Sequence, residues 1–300
     1  MNTILLLGPS GQVGWELQRS LAPLGAVTAV DEAQLNFKEP DALGAFVREN
    51  APDMIVNAAA YTNVDKAESD AATATAVNAT AVGVLAAEAA RARAFLVHYS
   101  TDYVFDGEKP GPYTEDDEPA PISVYGRTKL QSERAIQASG CRHLIFRTSW
   151  VYGLHGRNFP KTVLRLAAER DHLTIVSDQV GAPTSAELLA DVTALCAGLL
   201  VREPARYPGG IYHVTAAGSA SWFEYAKYLV RAALKRGLPL QLSEEGIRPV
   251  SSREYASSAR RPLNSRLSTD KIQAVFGLQM PHWTTHLDRF MAELPEPVRQ

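Results

Sequence analysis

The stretch that decides the fold is ILLLGPSGQVG at residues 4–14, where an apolar run leads directly into three glycines. Gly8, Gly11 and Gly14 allow a sharp turn between a strand and a helix, and they let the backbone approach a diphosphate closely. Free N–H groups at the start of the helix would bind that anion. The spacing is G-x-x-G-x-x-G, not the commoner G-x-G-x-x-G. An ordinary strand–helix turn is the alternative, so the rest of the chain must decide.

Short apolar runs alternate with longer helical patterns through the first half of the chain. The predicted strands are Ile4–Leu7, Val27–Val30, Met54–Asn57, Phe95–Ser100 and His143–Thr148. The predicted helices are Val13–Ala22, Asp41–Asn50, Thr75–Arg91 and Tyr125–Ser139. Apolar strands separated by helices predict an α/β fold, a doubly wound parallel sheet of the Rossmann-like type. Such a sheet binds its ligand at the carboxyl ends of its strands.

The alternation loosens after about Thr148. Further strands are predicted at Leu173–Ser177 and Ile211–Val214, and further helices at Ser185–Leu200 and Ser221–Lys235. The stretch Leu238–Pro262 is rich in loop residues. We therefore expect residues 1–150 to form an NAD(P)-binding domain and residues 151–300 to form mainly a smaller substrate-binding lobe, with some segments returning to the first domain.

Composition excludes several classes of protein. The 300 residues carry 30 Lys and Arg against 33 Asp and Glu, and 46% are hydrophobic, which argues against a disordered chain and a strongly basic nucleic-acid binder. Cys141 and Cys196 are too few for a disulfide framework or a multi-cysteine metal site, and a reduced pair is the plainer interpretation. The first apolar run is too short for a signal peptide or a membrane span. We expect a cytoplasmic protein without nucleic-acid or membrane partners.

Two further segments favour a dinucleotide. Asp31 follows the second strand about 20 residues after the glycines, where a carboxylate can accept hydrogen bonds from a ribose hydroxyl and would repel a 2′-phosphate. This favours NADH, although a flexible loop would admit NADPH. The small residues in Asn57–Tyr61 leave room for a cofactor at the end of the third strand, or serve close packing. For Asn78, within a predicted helix, catalytic and structural roles both stay open.

Tyr125 and Lys129 form a Tyr-x-x-x-Lys pattern at the head of a predicted helix, where residues i and i+4 share one face. A free tyrosine titrates near pH ~10, so bringing it to pH ~7 takes about 4 kcal/mol of phenolate stabilisation. A nearby ammonium has the required sign. Ser100 and Thr101 end the preceding strand, and because neighbouring strand residues point to opposite faces, only one would reach a substrate. Spacing does not choose between them.

Several segments in this order carry a family resemblance. They are the glycine turn, VNAAA at 56–60, YSTDYVF at 99–105, VYGRTK at 124–129, RTSWVYG at 147–153, DQVGAPT at 178–184 and RPLNSRL at 261–267. Together they resemble the extended short-chain dehydrogenases/reductases, and most closely the dTDP-4-dehydrorhamnose reductase family. The resemblance runs from the first strand to about Pro281.

The resemblance implies reduction of the 4-keto group of dTDP-6-deoxy-L-lyxo-4-hexulose, also called dTDP-4-dehydro-L-rhamnose, to dTDP-L-rhamnose. NADPH or NADH would give the hydride, and the product would serve carbohydrate biosynthesis such as that of a lipopolysaccharide O-antigen. The resemblance also selects Thr101 over Ser100 as the group that polarises the carbonyl. Tyr125 would protonate the alkoxide, and Lys129 would lower the pKa of Tyr125 and hold the nicotinamide ribose.

The same resemblance implies a set of binding residues. Those around the cofactor are Gly8, Gly11, Gln12, Val13, Asp31, Asn36, Phe37, Ala59, Ala60, Tyr61, Thr62, Tyr125 and Lys129. Those around the nucleotide-sugar substrate are Thr101, Asp102, Tyr125, Trp150 and Arg261. Trp150 would pack on the sugar or simply fill the core. Arg261, or its neighbour Arg260, would bind the diphosphate unless it is an exposed surface arginine.

A metal site and a partner follow from the resemblance as well. Some bacterial members are homodimers with Mg²⁺ held by carboxylates at the interface, and the matching positions are Glu16, Glu187 and Asp191. Glu187 and Asp191 are four apart on one predicted helix, so both can face one ion, and Mg²⁺ prefers oxygen ligands. A solvated helix face would show the same spacing.

Two other functions compete with the reductase. A nucleotide-sugar epimerase or dehydratase of the same fold would keep its NAD bound and return the hydride to the substrate. A non-catalytic regulatory subunit, such as the animal relatives that bind a methionine adenosyltransferase, would need none of this chemistry. The intact set of Thr101, Tyr125 and Lys129 favours an enzyme.

Overall fold

The computed structural model describes residues 2–255 and 258–294. Its strands are β1 (Asn2–Leu7), β2 (Gly25–Val30), β3 (Met54–Asn57), β4 (Phe95–Thr101), β5 (Arg142–Thr148), β6 (Val151–Tyr152), β7 (Leu173–Val176), β8 (Val180–Gly181), β9 (Thr184–Ser185), β10 (Gly210–His213), β11 (Ala220–Ser221) and β12 (Ile247–Val250). Its α-helices are α1 (Gln12–Leu21), α2 (Pro40–Asn50), α3 (Val64–Ser69), α4 (Ala71–Thr75), α5 (Ala81–Ala92), α6 (Val124–Ser139), α7 (Phe159–Glu169), α8 (Ala186–Arg202), α9 (Trp222–Lys235), α10 (Asp270–Phe276) and α11 (Trp283–Glu293).

Six of these strands form one parallel sheet in the order β10-β5-β4-β3-β1-β2. The chain leaves β1 for β2 on one side and returns to β3 on the other, so the strand order reverses beside β1. A crevice forms at such a reversal, at the carboxyl ends of the strands. The predicted α/β Rossmann-like fold is confirmed.

The sheet is buried on both faces because successive residues of β1 enter different cores. Ile4 and Leu6 lie in one apolar cluster, and Leu5 and Leu7 lie in another. The first cluster extends into α8 and α9 of the second half of the chain, whereas the second is filled from α2 and α5. Continuous apolar strands are the sequence consequence of burial on both sides.

The structure differs from the sequence expectation in several elements. The helix predicted over Thr75–Arg91 is interrupted by a π-helical turn at Ala76–Thr80. Helices α7, α10 and α11 were not predicted, and β12 lies in the stretch expected to be loop, paired with β7. Short strands such as β6 and β9 also escape prediction because two residues carry no periodicity.

Two elements of the second half lie against the first. Strand β10 extends the parallel sheet beside β5, and α8 packs on α1. The division of the chain near residue 150 stays a prediction. Among the described residues, no helix is both long and apolar enough to cross a membrane.

Candidate active site

The glycine turn makes a close approach that side chains would prevent. Gly8 has a φ of +78°, and a Cβ there would lie 2.7 Å from the backbone nitrogen of Ala59. A Cβ on Gly14 would lie 2.0 Å from the carbonyl oxygen of Gly8. Helix α1 begins directly after Gly11, which has no side chain to cap the first N–H groups. The turn therefore offers uncapped backbone donors at a helix start, which fits a dinucleotide diphosphate.

The second half of the chain covers this turn. Asn158 donates from Nδ2 to Oε1 of Gln12 at 2.9 Å, and Gln12 donates to the carbonyl of Val151 at 3.4 Å. His155 contacts the carbonyl of Ser10 at 2.9 Å and stacks on Trp15 at 4.5 Å between ring centroids. Gln12 is thus positioned by Val151 and Asn158, which lie beyond the predicted boundary at residue 150.

Asn78 links the loop after β3 to helix α6. Its Oδ1 accepts from the backbone N–H of Tyr61 at 2.8 Å, and its Nδ2 donates to the carbonyl of Tyr61 and to Oγ1 of Thr128, both at 3.1 Å. The side chain is buried, and it lies in the π-helical turn. Such turns often occur at functional sites. The structure shows the structural role for Asn78 that the sequence left open.

Residues expected around the adenosine lie in the turn after β2. Asp31 accepts from the N–H of Ala33 at 2.9 Å, and Asn36 accepts from the N–H of Lys38 at 3.1 Å. Both side chains therefore shape the loop itself. Phe37 is buried in the core cluster that contains Leu7.

Helix α6 presents the Tyr-x-x-x-Lys pair. It begins at Val124, and Ser123 caps it by accepting from the N–H of Gly126 at 3.1 Å. The hydroxyl of Thr101 lies beside the Tyr125 phenol, where it opposes the rise in the pKa of the phenol. The ring of Tyr103 meets that of Tyr125 edge to face, with centroids 5.5 Å apart.

The two hydroxyls at the end of β4 point to different places. Ser100 donates to Oε1 of Glu133 in the interior, whereas Thr101 lies on the side of Tyr125 and donates to Oδ1 of Asp102 at 3.1 Å. The alternation of a strand therefore separates them as expected, and Thr101 is the hydroxyl beside the phenol.

Burial governs the protonation of the site. Desolvation and the charge of Asp102 raise the pKa of Tyr125 to about 12, and the contact with Thr101 opposes the rise. Burial lowers the pKa of Lys129 to about 7 against the attraction of Glu133. Burial also raises the pKa of Asp102 to about 6. Whether Lys129 lowers the pKa of Tyr125 once a dinucleotide is bound stays a prediction.

A buried ion pair lies behind Lys129. Arg147 on β5 donates through Nε to Oε1 of Glu133 at 2.9 Å and through Nη2 to Oε2 at 2.7 Å. Their side chains are only 3% and 1% exposed. Sequence reasoning missed this pair, although an acid four residues after Lys129 on a helix facing the sheet was a signal that could have indicated it.

A cavity of about 1050 Å³ opens beside Tyr103. Its wall includes Phe159, Gln179, Trp222, Arg260 and Arg261. The indole of Trp222 donates to Oε1 of Gln179 at 3.2 Å, which fixes the amide. Sequence reasoning gave no role to Trp222 or Phe159, whose spacing is that of ordinary core aromatics.

Trp150 lies behind this wall. It stacks on Trp222 with ring centroids 3.6 Å apart, and a Cβ on Gly181 would come within 2.6 Å of its indole. Its φ of +51° is in the left-handed region, which is strained for a tryptophan. The structure thus places Trp222, rather than Trp150, among the cavity-lining residues.

Comparisons with known proteins decide the family. A family model described as the RmlD substrate binding domain matches residues 1–295. The chain belongs to this family. It is 48% identical over 295 residues to a dTDP-4-dehydrorhamnose reductase of Escherichia coli K12, covering 97% of both chains. A dTDP-4-dehydrorhamnose reductase structure from Clostridium acetobutylicum aligns with a TM-score of 0.88 at 34% identity, covering 97% of this chain and 99% of that one.

A further RmlD-family structure bears on the cofactor. The dTDP-4-dehydrorhamnose reductase of Bacillus anthracis was solved in complex with NADP, and it aligns with a TM-score of 0.87 at 34% identity over 97% of this chain and 99% of that one. The resemblance inferred from the sequence motifs is confirmed.

The arginines of this RmlD-family cavity differ in their partners. Arg261 contacts Asp65 through Nη2 at 2.5 Å and through Nη1 at 3.2 Å. Arg260 is exposed, and among the described residues no carboxylate lies within 4.0 Å of its guanidinium. The charge of Arg261 is therefore compensated, whereas that of Arg260 faces solvent.

The carboxylates expected to hold Mg²⁺ lie near one another but have cationic partners. Arg19 contacts Asp191 at 3.0 Å and Glu16 at 3.6 Å, and Arg289 contacts Glu187 at 3.3 Å. Burial and the charge of Glu187 raise the pKa of Glu16. Within residues 2–255 and 258–294, no group of three or more His, Cys, Asp or Glu is placed to hold a metal. The magnesium and the homodimer stay predictions.

Proposed function

We propose that this chain reduces the 4-keto group of dTDP-4-dehydro-L-rhamnose to give dTDP-L-rhamnose, with NADPH or NADH as the reductant. The observation that carries the proposal is the placement of Thr101, at the carboxyl end of β4, beside Tyr125, at the start of helix α6. Lys129 is one helical turn away, and the glycine turn lies at the same edge of the sheet. Membership in the RmlD family supports the same assignment.

The residues at the carboxyl ends of the sheet strands suit a dinucleotide cofactor. The donors after Gly11 suit the diphosphate, with Gly8, Gln12 and Val13 alongside. Ala59, Ala60, Tyr61 and Thr62 would border the nicotinamide half, and Asp31, Asn36 and Phe37 the adenosine half. The bound dinucleotide supplies the hydride.

The chain itself supplies position and protons. The Thr101 hydroxyl turns from Oδ1 of Asp102 to donate a hydrogen bond to the 4-keto oxygen, and hydride addition at C4 makes that oxygen an alkoxide. Tyr125 gives its phenolic proton to the alkoxide, which completes the alcohol and leaves a phenolate. The ammonium form of Lys129 stabilises the phenolate and donates to the nicotinamide ribose. A phenol with a pKa raised to about 12 stays protonated until the alkoxide forms.

The cavity suits the nucleotide-sugar. We assign the sugar to the side near Tyr125 and Asp102, with Trp222 in the wall and Trp150 supporting it. Arg260 is available for the diphosphate, and Arg261 would bind it by leaving Asp65. Gln179, held by Trp222 and by Oγ of Ser252 at 3.2 Å, presents an ordered amide beside them.

The test is a spectrophotometric assay of NADPH and NADH loss with the dTDP-4-keto sugar made by an upstream dehydratase and epimerase. We expect one dinucleotide oxidised for each 4-hydroxyl formed. An epimerase or dehydratase would return its hydride, so product without net oxidation would contradict the reductase. No turnover of any 4-keto sugar, with capture of a methionine adenosyltransferase, would favour a regulatory subunit instead.

A homodimer with shared Mg²⁺ is a separate part of the proposal. Glu187 lies close enough to Glu16 for its charge to raise the pKa of Glu16. A second copy of the chain would have to complete the ligand set. Sedimentation velocity with and without EDTA tests it: a dimer that dissociates on chelation supports the shared ion, whereas one sedimentation coefficient in both conditions contradicts it.

A further inference from the structure

A chain of buried, hydrogen-bonded polar groups runs from the end of β3 to Lys129 on helix α6. Asn57, His98, Lys129 and Ser132 are each 3% exposed or less. Nδ2 of Asn57 lies 3.1 Å from Nδ1 of His98. Nε2 of His98 lies 3.1 Å from Oγ of Ser132 and 3.1 Å from Nζ of Lys129. Because these groups are shielded from water, the direction of each hydrogen bond is set by its neighbours.

The first direction is set at Asn57. Its Oδ1 accepts from the backbone N–H of Ala59 at 3.1 Å, so the amide group that faces His98 is the NH₂. An NH₂ group can only donate, and Nδ1 of His98 must therefore accept. A neutral imidazole that accepts at Nδ1 carries its proton on Nε2.

The second direction is set at Ser132. Its hydroxyl donates to the carbonyl of Lys129 at 2.6 Å, which leaves its oxygen free to accept from Nε2–H of His98. Nζ of Lys129 faces the same N–H. An ammonium has three donors and no acceptor, so it would oppose this N–H, whereas a neutral amine accepts from it.

We propose that Asn57 and His98 act as positioning residues that hold Lys129 as a neutral amine in the free chain, so that dinucleotide binding is accompanied by uptake of one proton at Nζ. This rests on the proposed function only in that the chain binds a dinucleotide. The diphosphate brings negative charge, and ribose hydroxyls accept from an ammonium, so the bound state favours the charged form. Protonation then requires Nζ to leave the N–H of His98.

The charged groups around Lys129 are consistent with a neutral amine in the free chain. Glu133 on the same helix attracts a proton to Lys129, but Arg147 on β5 already pairs with both oxygens of Glu133. Burial lowers the pKa of His98 well below its usual value, so the imidazole stays neutral. Burial likewise lowers the pKa of Lys129 to about 7.

Calorimetric titration of the dinucleotide-free protein with NADPH at pH 8, in buffers of different ionisation enthalpy, measures the proton uptake. We expect close to one proton, because a group with a pKa of about 7 is mostly neutral at that pH. NADP⁺ should give less, since its positive nicotinamide opposes the ammonium. No uptake with NADPH would overturn the proposal.

Asn57→Asp tests the mechanism through the imidazole. A carboxylate would accept from both Ala59 and Nδ1–H of His98, which turns Nε2 into an acceptor for the Lys129 ammonium. We expect the Lys129 pKa, followed by NMR of its side chain in the free protein, to rise by about one unit or more, and the proton uptake at pH 8 to fall about twofold or more. Unchanged values would overturn the proposal.

The control is the same substitution in a His98→Phe background. If His98 transmits the effect, Asn57→Asp no longer shifts the Lys129 pKa there, whereas an equal shift means that the added charge acts directly and the proposal is wrong. Should Asn57→Asp fail to fold, ¹⁵N NMR of the wild-type imidazole still decides. A proton on Nε2 of His98 supports the proposal, and a proton on Nδ1 refutes it. These measurements on free protein are independent of whether any 4-keto sugar is reduced.

Discussion

Two arginine–carboxylate pairs of similar geometry lie in very different surroundings. Arg147 on β5 and Glu133 on α6 meet at 2.7 Å, with side chains 3% and 1% exposed. Arg261 and Asp65 meet at 2.5 Å at the cavity, with side chains 26% and 42% exposed. A buried pair cannot exchange partners without leaving a charge in the interior, whereas water can replace either partner at the cavity. The interior pair therefore fixes geometry, and the cavity pair can give way to a ligand.

The largest effect on kcat is expected from a substitution at Tyr125, the proposed proton donor. Tyr125→Phe removes the phenolic proton, and we expect kcat to fall by about 10²- to 10⁴-fold with dinucleotide affinity nearly unchanged. Tyr103→Phe is the matched control, because it removes a neighbouring phenol that is not assigned the proton transfer, and kcat should stay within a few-fold even if KM changes. Wild-type turnover by Tyr125→Phe in steady-state assays would show that another group is the acid.

The two ion pairs should differ in how much each contributes to the free energy of unfolding. Glu133→Gln leaves the Arg147 charge buried without its counter-ion, and we expect the free energy of unfolding to fall by about 3–5 kcal/mol. Asp65→Asn, at the exposed pair, should cost no more than about 1 kcal/mol. Urea unfolding of both variants measures the difference, and equal losses would contradict the contrast drawn between the two surroundings.

A smaller effect depends on pH. The pKa of Asp102 is raised by burial from 3.8 to about 6, so the folded chain holds this proton more tightly than the unfolded chain. The stability that Asp102 contributes is complete below about pH 4 and is lost as the pH rises to about 6. Asp102→Asn abolishes this titration.

Relative to wild type, that variant should therefore gain up to about 3 kcal/mol between pH 4 and pH 7. Urea midpoints across this range provide the measurement, and other groups cancel in the difference between the two proteins. A constant difference at every pH would mean that Asp102 is not perturbed.

The smallest effect is expected at the open rim of the cavity. Arg260→Ala should raise KM for the dTDP-sugar about three- to tenfold with kcat unchanged, because an exposed arginine adds binding but does not touch the reacting atoms. Arg260→Lys keeps the charge and should recover part of the loss. A fall in kcat with constant KM would show that Arg260 acts in the reaction step.

The sequence predicted those parts of the molecule in which local pattern and tertiary environment agree. Met54–Asn57 was predicted with the bounds that the structure has, since a strand buried on both faces shows a run of apolar residues, here closed by Asn57. The glycine turn and the Tyr-x-x-x-Lys pair were located because each needs a particular residue type at a fixed spacing.

Contacts between distant segments were out of reach of sequence reasoning. Nothing local indicates that Trp222 covers Trp150, that Asp65 compensates Arg261, or that Asn158 holds Gln12. The π-helical turn at Ala76–Thr80 was missed for a related reason, because Asn78 is fixed by Tyr61 and Thr128 rather than by its own helix. Whether the predicted site residues act as assigned stays a prediction.

Strand β10 has a consequence for how the chain acquires its shape during synthesis. It pairs with β5 but is separated from it by the segments that form α7 and α8, so the outer edge of β5 stays unpaired while those segments leave the ribosome. An open edge strand invites pairing with other nascent chains. Residues 210–213 thus cover the edge of β5 and become the short edge strand in its place. A chain halted before them should aggregate even though its glycine turn and Tyr125 are already present.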